Sequence, residues 1–357
     1  MKTYKHLYPQ ITSFANLDEA WHKARRGKRG KEAAARFEAN AEGEMFQLER
    51  ELLAHTYRPG PYRTFIVYDP KQRKISAAPF SDRVVHHALC NVIEPIFERK
   101  FIHDSYANRL GKGTHRALDR AQAYARRYRY VFKADVETFF PAIDHDILKA
   151  ILWRTIACDD TRWLMTQIID SGQGILADQY RLRWFPGDDL LAATRPRGLP
   201  IGNQTSQFWA NVYLNPFDHF VKRDLKCPAY VRYVDDFLLF ADDKRVLHDW
   251  RQAVEAYLAA LRLTIHPEKS VVFPVTNGIP FLGFEVFPDQ RRLLKGNVRA
   301  FLRRFSRQRR DIRRGDLRFD DIKPSLVAWN AHADHGDTWR LRMKLFQRRP
   351  IPASGRA

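Results

Sequence analysis

Apolar positions along the chain follow a helical spacing in some segments and short continuous runs in others. In residues 16–56, apolar and aromatic side chains recur among Lys, Arg, Glu and Ala at helical intervals, interrupted by a glycine-containing basic run at 23–31. Further helices are predicted at 82–100, 160–171, 204–224 and 245–262, and from about Asp144 onward. Strands are predicted within 62–80, at 128–134, 230–234, 237–241 and 270–274, and as the pair 280–287 and 291–295. This alternation indicates an α+β or α/β body.

The residues after the last predicted strand have a different composition. From residue 295 to the end the sequence contains 17 Lys or Arg and 6 Asp, in a helical pattern. We expect a small basic helical domain there. Within it, arginines at 303, 304, 307 and 310 interleave with apolar positions such as Phe301 and Phe305. A solvated basic face and a surface that binds the phosphate backbone are both compatible with this pattern.

Two apolar segments flank a pair of carboxylates. Residues 230–234 precede Asp235 and Asp236, and residues 237–240 follow them. Because Asp is common at hairpin tips, an isolated pair would be ordinary turn chemistry. These flanks, however, are too apolar for an exposed hairpin, so we expect the two carboxylates at the edge of a buried core. Asp135, which ends the predicted strand 128–134, supplies a third.

Three carboxylates that converge would repel one another and raise their own pKa values unless cations neutralise them. Mg²⁺ suits such a site because it prefers oxygen ligands and completes its shell with substrate phosphates. Two ions about 3.5–4 Å apart can hold the attacking hydroxyl and the leaving pyrophosphate of an in-line displacement. The sequence therefore predicts a two-metal site at Asp135, Asp235 and Asp236.

Overall charge and cysteine content narrow the class of protein. The 357 residues include 61 Lys or Arg and 41 Asp or Glu, which gives a formal net charge of +20 and a pI near 10.0. Such an excess attracts polyanions, above all nucleic acid. Three scattered cysteines argue against a disulfide framework. With no signal peptide and no long apolar stretch, we expect a soluble, intracellular protein without a membrane span.

The motifs together resemble those of reverse transcriptases. Tyr233-Val-Asp-Asp236 resembles the YxDD signature, and Asp135 followed by Phe139-Phe140 resembles the first palm motif. Segments similar to the remaining motifs follow the family order, at 71–85, 105–114, 198–207, 266–270 and 281–285. The resemblance implies an α+β right-hand polymerase. Its parts would be an N-terminal helical extension (1–60), fingers and palm (61–295) and a basic helical thumb (296–357).

The resemblance also implies a role for individual residues. Asp135, Asp235, Asp236 and the Val136 carbonyl would ligate two Mg²⁺ ions, which Mn²⁺ could replace. The residues expected to contact the incoming nucleotide are Arg73, Lys74, Phe140, Ile201, Gly202 and Lys269, with Phe140 as the steric gate against the ribose 2′-hydroxyl. Those expected to contact nucleic acid are Arg109, Lys112, Gly283, Arg303, Arg304, Arg307 and Arg310.

One variation suggests a subfamily. Ile201-Gly202 followed by Ser206-Gln207 resembles the reverse transcriptases of diversity-generating retroelements, within the group II intron-like lineage, which copy template adenines with frequent errors. Residues 325–335 and 339–342 also resemble the thumb of that group. The resemblance implies template RNA, a cDNA or primer strand and deoxynucleoside triphosphates as partners. It further implies a small basic accessory helical protein and a cytoplasmic, prokaryotic or phage-encoded enzyme.

Other functions stay open at this point. A retron-like or phage-defence reverse transcriptase would share these motifs. A non-catalytic RNA-binding protein on the same fold is disfavoured by the three aspartates, and an RNA-dependent RNA polymerase is disfavoured by Phe140. Because about 60 residues follow the predicted palm, we expect a thumb there rather than an RNase H or integrase domain. Gly111-Lys-Gly-Thr114 lacks the spacing of a Walker phosphate loop.

Overall fold

The computed structural model describes residues 2–68 and 72–350. Lys71, at the start of the predicted basic turn, and residues 351–357 of the predicted thumb lie outside the described residues. The helices are α1 Tyr8–Thr12, α2 Phe14–Arg25, α3 Glu32–Glu38, α4 Ala41–Leu53, α5 Phe80–Glu98, α6 Thr114–Arg127, α7 Phe139–Ala142, α8 His145–Trp153, α9 Asp159–Asp170, α10 Gln204–Arg223, α11 Lys244–Ala260, α12 Lys295–Arg314, α13 Phe319–Ala333 and α14 Trp339–Arg348. The strands are β1 Arg63–Val67, β2 Arg73–Ala77, β3 Tyr130–Asp135, β4 Ala229–Tyr233, β5 Asp236–Ala241, β6 Val271–Pro274, β7 Ile279–Phe281, β8 Phe284–Val286 and β9 Arg291–Leu293.

The mixture of helices and sheets confirms the α+β class, and the predicted helices α5, α9, α10 and α11 begin and end within two residues of their expected positions. Two differences are informative. Helix α6 was not predicted, although its sequence is amphipathic and places Ala117, Leu118 and Ala121 in the core. The predicted strand 280–287 is two strands, β7 and β8, because the chain turns at Leu282 and Gly283.

A central antiparallel sheet of order β4-β5-β3-β6 organises the molecule. In the pairing of β3 with β5, Asp135 lies opposite Asp236, and in the pairing of β4 with β5, Tyr233 lies opposite Asp236. The ends of three strands therefore meet at one edge of the sheet. That register brings the carboxylates predicted from the sequence to the same place.

The central sheet is buried on both faces, which explains its uninterrupted apolar strands. Phe237 and Leu239 face a core built with the N-terminal helices and with α5, α8, α9, α10 and α11. Leu238 and Phe240, which point to the other face, join a second core with α6, β7–β9 and the C-terminal helices. Because neighbouring strand residues point to opposite faces, a strand between two cores needs apolar residues at every position.

The N-terminal helices α1–α4 share the first core with α5, through residues such as Ile11, Leu17 and Leu52. Helix α2 packs along α5, and its Asn16 side chain donates to the Ala88 carbonyl at 3.0 Å. These helices are thus continuous with the body of the protein. Among the described residues, none of the helices is long and apolar enough to cross a bilayer.

Gly283 occupies the two-residue turn between β7 and β8. Leu282 and Gly283 both have positive φ, 47° and 91°, which is the pattern of a type I′ hairpin turn and favours glycine. A Cβ atom at 283 would lie 3.1 Å from Asn297 Nδ2 and 3.3 Å from His332 Nε2. The positive φ and the close neighbours therefore explain why glycine occupies position 283. Its predicted approach to a primer strand stays a proposal.

Candidate active site

The hairpin of β4 and β5 turns one residue earlier than predicted. Tyr233 pairs with Asp236, so the loop consists of Val234 and Asp235 rather than of the two aspartates. Val234 has φ +57°, a conformation that costs an L-residue about 1–2 kcal/mol and is rare for a β-branched side chain. A positive φ at the first loop position normally requires glycine. This loop is thus a strained turn held by its surroundings, and it sets the position of Asp235.

The carboxylates of Asp135 and Asp236 lie close enough to Asp235 to affect its ionisation. Burial is the main cause that raises the pKa of Asp235 to about 7, and the negative charges of Asp135 and Asp236 contribute to the same rise. Burial also raises the pKa of Asp236, an effect that the nearby Lys133 opposes. Val136, which follows Asp135, donates its amide to the Asp235 carbonyl at 3.3 Å. The predicted convergence of Asp135, Asp235 and Asp236 is therefore present.

Two lysines accompany these carboxylates. Lys269 Nζ lies 2.9 Å from Asp135 Oδ2, and Lys133 Nζ lies 3.6 Å from Asp236 Oδ1. Lys269 was expected near this site, whereas Lys133 was missed. The strand period could have identified Lys133, since residues two apart on β3 share a face and Asp135 follows it by two. In this structure the two ammonium groups partly offset the negative charge.

The donor set suits Mg²⁺, although the ligands are not assembled as a closed cage. Within residues 2–68 and 72–350, no three His, Cys, Asp or Glu side chains form a group that could hold a metal ion as they stand. Lys269 contacts Asp135 at 2.9 Å. Burial, together with the negative charges of Asp135 and Asp236, raises the pKa of Asp235, and a bound cation would offset this repulsion. Mg²⁺ commonly binds through one or two carboxylates plus substrate phosphates, so an open arrangement fits it.

Backbone hydrogen bonds join three segments that carry residues predicted to contact the nucleotide. We call these segments, which contain Phe140, residues 199–202 and β2, the wall. The Leu199 amide donates to the Phe140 carbonyl at 3.0 Å, and the Ser76 amide of β2 donates to the Ile201 carbonyl at 2.9 Å. At Gly202, whose φ is +123°, a Cβ atom would lie 3.0 Å from Ile75 Cγ2. The segments that carry Phe140, Ile201, Gly202 and β2 therefore lie side by side.

Phe139 and Phe140 have different environments. Phe139 is 2% exposed and belongs to the core, while Phe140 is partly buried at the edge of that core. Arg73 is exposed on β2, and its charge lowers the pKa of Asp235, which places it near the carboxylates. Lys74 is engaged differently from the prediction, because its Nζ contacts the Asp178 carboxylate at 2.8 Å and the Ile175 carbonyl at 3.1 Å.

Arg109, which was predicted to contact nucleic acid, is engaged within the protein in this structure. Its side chain is 6% exposed and forms an ion pair with Glu98 at 2.7 Å. Its Nη1 also donates to the Ile102 and Ser105 carbonyls. Because the guanidinium is buried and already bonded to Glu98 and to two carbonyls, it does not present a pair of N–H donors to a phosphate. Lys112, in contrast, lies on the surface with Nζ 2.8 Å from the His103 carbonyl.

Helix α12 carries its arginines mainly on one exposed face. Five exposed arginines, Arg299, Arg303, Arg307, Arg310 and Arg314, form what we call the arginine stripe, and Arg313 is exposed beside it. Their spacing of three or four residues places them in one row. The opposite face is buried, with Phe301 stacked on Trp329 of α13 at 3.8 Å between ring centroids. Arg304 lies off the stripe, half-buried beside the Phe301 ring.

The chain is similar to several known proteins. Residues 68–286, more than half of the chain, match the family described as reverse transcriptase (RNA-dependent DNA polymerase). The chain is 25% identical to protein YkfC of Escherichia coli over 294 residues, or 70% of this chain and 72% of that one. It is 24% identical to the group II intron-encoded protein LtrA of Lactococcus lactis over 51% of this chain and 28% of that one. A solved apo telomerase from Candida tropicalis aligns with TM-score 0.48 and 11% identity, over 69% of this chain and 59% of that one.

Proposed function

The chain belongs to the reverse transcriptase (RNA-dependent DNA polymerase) family, and from that premise we propose that it copies a template RNA into DNA at Asp135, Asp235 and Asp236. The observation that carries this proposal is the convergence of these three carboxylates at one edge of the central sheet. Family membership also makes the α+β fold a right-hand polymerase. We further propose the division into N-terminal extension, fingers and palm, and thumb at residues 60 and 295.

The carboxylates would hold two Mg²⁺ ions, with the Val136 carbonyl as a further ligand. When bound, these ions lower the pKa of the attacking 3′-hydroxyl and neutralise charge on the leaving pyrophosphate. Asp235 lies on the strained loop directly before Asp236, which pairs with Asp135 across the sheet. When a cation binds Asp135, Lys269 would give up its contact with that carboxylate and bind a phosphate oxygen of the nucleotide instead. Arg73 would meet the triphosphate, for which a guanidinium fork is suited.

Metal binding should stabilise this protein in a pH-dependent manner. Because the folded-state pKa of Asp235 is raised from 3.8 to about 7, its ionisation destabilises the metal-free fold as the pH rises through that range. Mg²⁺ offsets the repulsion at about pH 8, whereas at about pH 5.5 it must displace a proton. We expect Mg²⁺ to raise the melting temperature by several degrees at the higher pH and less at the lower.

Differential scanning fluorimetry with EDTA or Mg²⁺ measures this difference. The Asp235→Asn variant is the matched control, since an amide does not titrate, and its Mg²⁺ response should be small at both pH values. Equal stabilisation of the wild-type protein at the two pH values would contradict the assignment of Asp235.

The arginine stripe should set the salt dependence of nucleic-acid binding. Each neutralised phosphate contact changes the slope of log K against log salt by about 0.7–0.9. We therefore expect the combined changes Arg303→Gln, Arg307→Gln and Arg310→Gln to lower the slope by about 2–3 for an RNA–DNA duplex. Fluorescence anisotropy over a salt series measures it.

Lys244 and Arg245 provide a control for the stripe. Both are exposed at the start of α11, which follows the end of β5 distant from Asp236. Changing both to Gln should leave the slope as in the wild-type protein. An unchanged slope in the stripe variant would exclude α12 as the duplex-binding surface.

We also propose that copying is error-prone, as in a diversity-generating retroelement. The support is Ile201 with Gly202, on the wall that carries Phe140 and β2. A β-branched apolar side chain there forms no hydrogen bond to the nascent base pair, so geometric checking relaxes. On this proposal the enzyme works in the cytoplasm of a prokaryote, with a template RNA, deoxynucleoside triphosphates and a small basic accessory helical protein.

Sequencing of cDNA made from a defined RNA tests both proposals. DNA synthesis with substitutions concentrated at template adenines is the expected result, and Ile201→Gln should reduce those substitutions. Faithful cDNA would favour a retron-like or phage-defence enzyme instead. Binding of RNA without any synthesis would favour a non-catalytic RNA-binding protein. Preferential incorporation of ribonucleotides would favour an RNA-dependent RNA polymerase.

A further inference from the structure

A fully buried ion pair lies between the β4–β5 hairpin and helix α10. Arg232 of β4 and Asp218 of α10 are both 0% exposed, and their side chains meet at 2.7 Å (Nε to Oδ1) and 2.6 Å (Nη2 to Oδ2). Tyr230, also on β4, donates its hydroxyl to Asp218 Oδ1 at 2.7 Å. Neither the proposed reaction nor the sequence motifs assign a role to this pair.

Every N–H donor of Arg232 has an acceptor. Besides Asp218, Nη2 donates to Ser105 Oγ at 3.1 Å, while Nη1 donates to Asn211 Oδ1 at 3.2 Å and to the Val234 carbonyl at 2.9 Å. A guanidinium has five N–H groups in a rigid planar fork. Full use of that fork fixes the side chain in one orientation relative to α10 and to the segment at Ser105.

The contact with Val234 connects this cluster to the chemistry. Val234 is the strained loop residue with φ +57°, and it directly precedes Asp235. Strained backbone persists only where the surroundings hold it. The Arg232 side chain supplies such a restraint from the face of the sheet that packs against α10. It is anchored by Asp218 and donates to the Val234 carbonyl.

We propose that Arg232 is a positioning residue, which clamps the Val234 carbonyl to Asp218 and so holds the strained turn that aims Asp235 at its metal. This inference rests on the proposed polymerase function. Arg232 touches no reacting atom and acts through the loop. Its loss should lower kcat and metal affinity and leave the KM for nucleotide nearly unchanged, since Arg73, Phe140 and Ile201 lie on other segments.

A role in stability alone makes a different prediction. Removing one partner of a buried ion pair destabilises a protein strongly, whereas replacing both by apolar residues is often neutral. The double variant Arg232→Met with Asp218→Leu removes the pair without leaving a buried charge. Under a stability role the folded double variant would keep the wild-type kcat, although it would be less stable because Tyr230, Asn211 and Ser105 lose hydrogen-bond partners. Under the positioning role it folds but is catalytically weak, because nothing holds the Val234 carbonyl.

Arg232→Lys is the second variant. It keeps the positive charge beside Asp218, but a compact ammonium cannot reproduce the bidentate fork and the bond to Val234 together. We expect a folded protein in both cases, with kcat for single-nucleotide addition reduced about 10–100-fold and KM for nucleotide within about twofold. Arg25→Lys, in an ion pair with Glu38 on the N-terminal helices, should retain wild-type values.

Binding of Mn²⁺ without nucleic acid gives a readout independent of synthesis. Electron paramagnetic resonance of free Mn²⁺ should show about tenfold weaker binding in Arg232→Lys. Wild-type kcat and wild-type Mn²⁺ affinity in a folded Arg232→Lys protein would overturn the proposal, even if the double variant fails to fold. A wild-type protein that binds Mn²⁺ but makes no DNA would overturn the polymerase function instead, and the Mn²⁺ comparison would still decide the role of Arg232.

Discussion

Asp235→Asn is expected to reduce primer extension by more than about 1000-fold while RNA binding stays within a few-fold of wild type. Metal ions held by these carboxylates would contribute several kcal/mol of transition-state stabilisation, and each 1.36 kcal/mol corresponds to a factor of ten in rate. An amide keeps the shape of the loop residue but removes the anionic ligand. Since burial and two neighbouring carboxylates raise the pKa of Asp235, the variant should also be at least as stable as the metal-free wild-type protein.

Single-turnover extension on an RNA template measures the loss, and filter binding measures RNA affinity. Asp249→Asn is the matched control, because Asp249 is exposed on α11 and remote from the hairpin tip. It should extend primers at the wild-type rate. Extension by Asp235→Asn at more than about a tenth of that rate would be incompatible with the metal assignment.

Phe140→Ala is expected to weaken discrimination against ribonucleotides on the order of 100-fold. The ring of Phe140 is partly buried at the edge of the core, and its carbonyl accepts from Leu199 on the wall that carries Ile201. On the proposed function, a ring fixed there would reject the 2′-hydroxyl by steric clash. Alanine removes the clash while leaving contacts with deoxynucleotides nearly intact, so incorporation of ribonucleotides should rise.

The ratio of kcat/KM for deoxy- and ribonucleotides with the same base measures this effect. Phe139→Leu serves as the control, since Phe139 packs in the core at 2% exposure. That change should lower stability and leave the ratio unaltered. If the two variants discriminate equally, Phe140 is a packing residue and the gate lies elsewhere.

The elements around the site were largely predictable because their signals are local. Continuous apolar strands beside Asp135 and Asp235 correctly indicated a sheet edge with acidic side chains, and a sheet covered on both faces requires such strands. The turn itself was displaced by one residue. Glycine usually marks a primed turn, but here Val234 takes the positive φ, so the sequence carried no local sign of it.

Partners of charged side chains were the least predictable feature. Arg109 and Lys74 look alike in sequence as cations within motifs, yet Arg109 is buried against Glu98 and Lys74 contacts Asp178. Lys133 was missed beside Asp236. The sequence shows the sign of each charged side chain, but which opposite charge lies nearest to it depends on the fold.

The sequence by itself determined the chemistry of this protein: three carboxylates at strand ends, an α+β body, a basic helical C-terminal region and a match to reverse transcriptase motifs. These follow from residue type and from periodicities of two and 3.6 residues. Only the tertiary structure decided the turn at Val234, the contact of Lys269 with Asp135 across 134 positions, and the clamp of Arg232 on Asp218. Such contacts depend on the packing of distant segments, which no local pattern encodes.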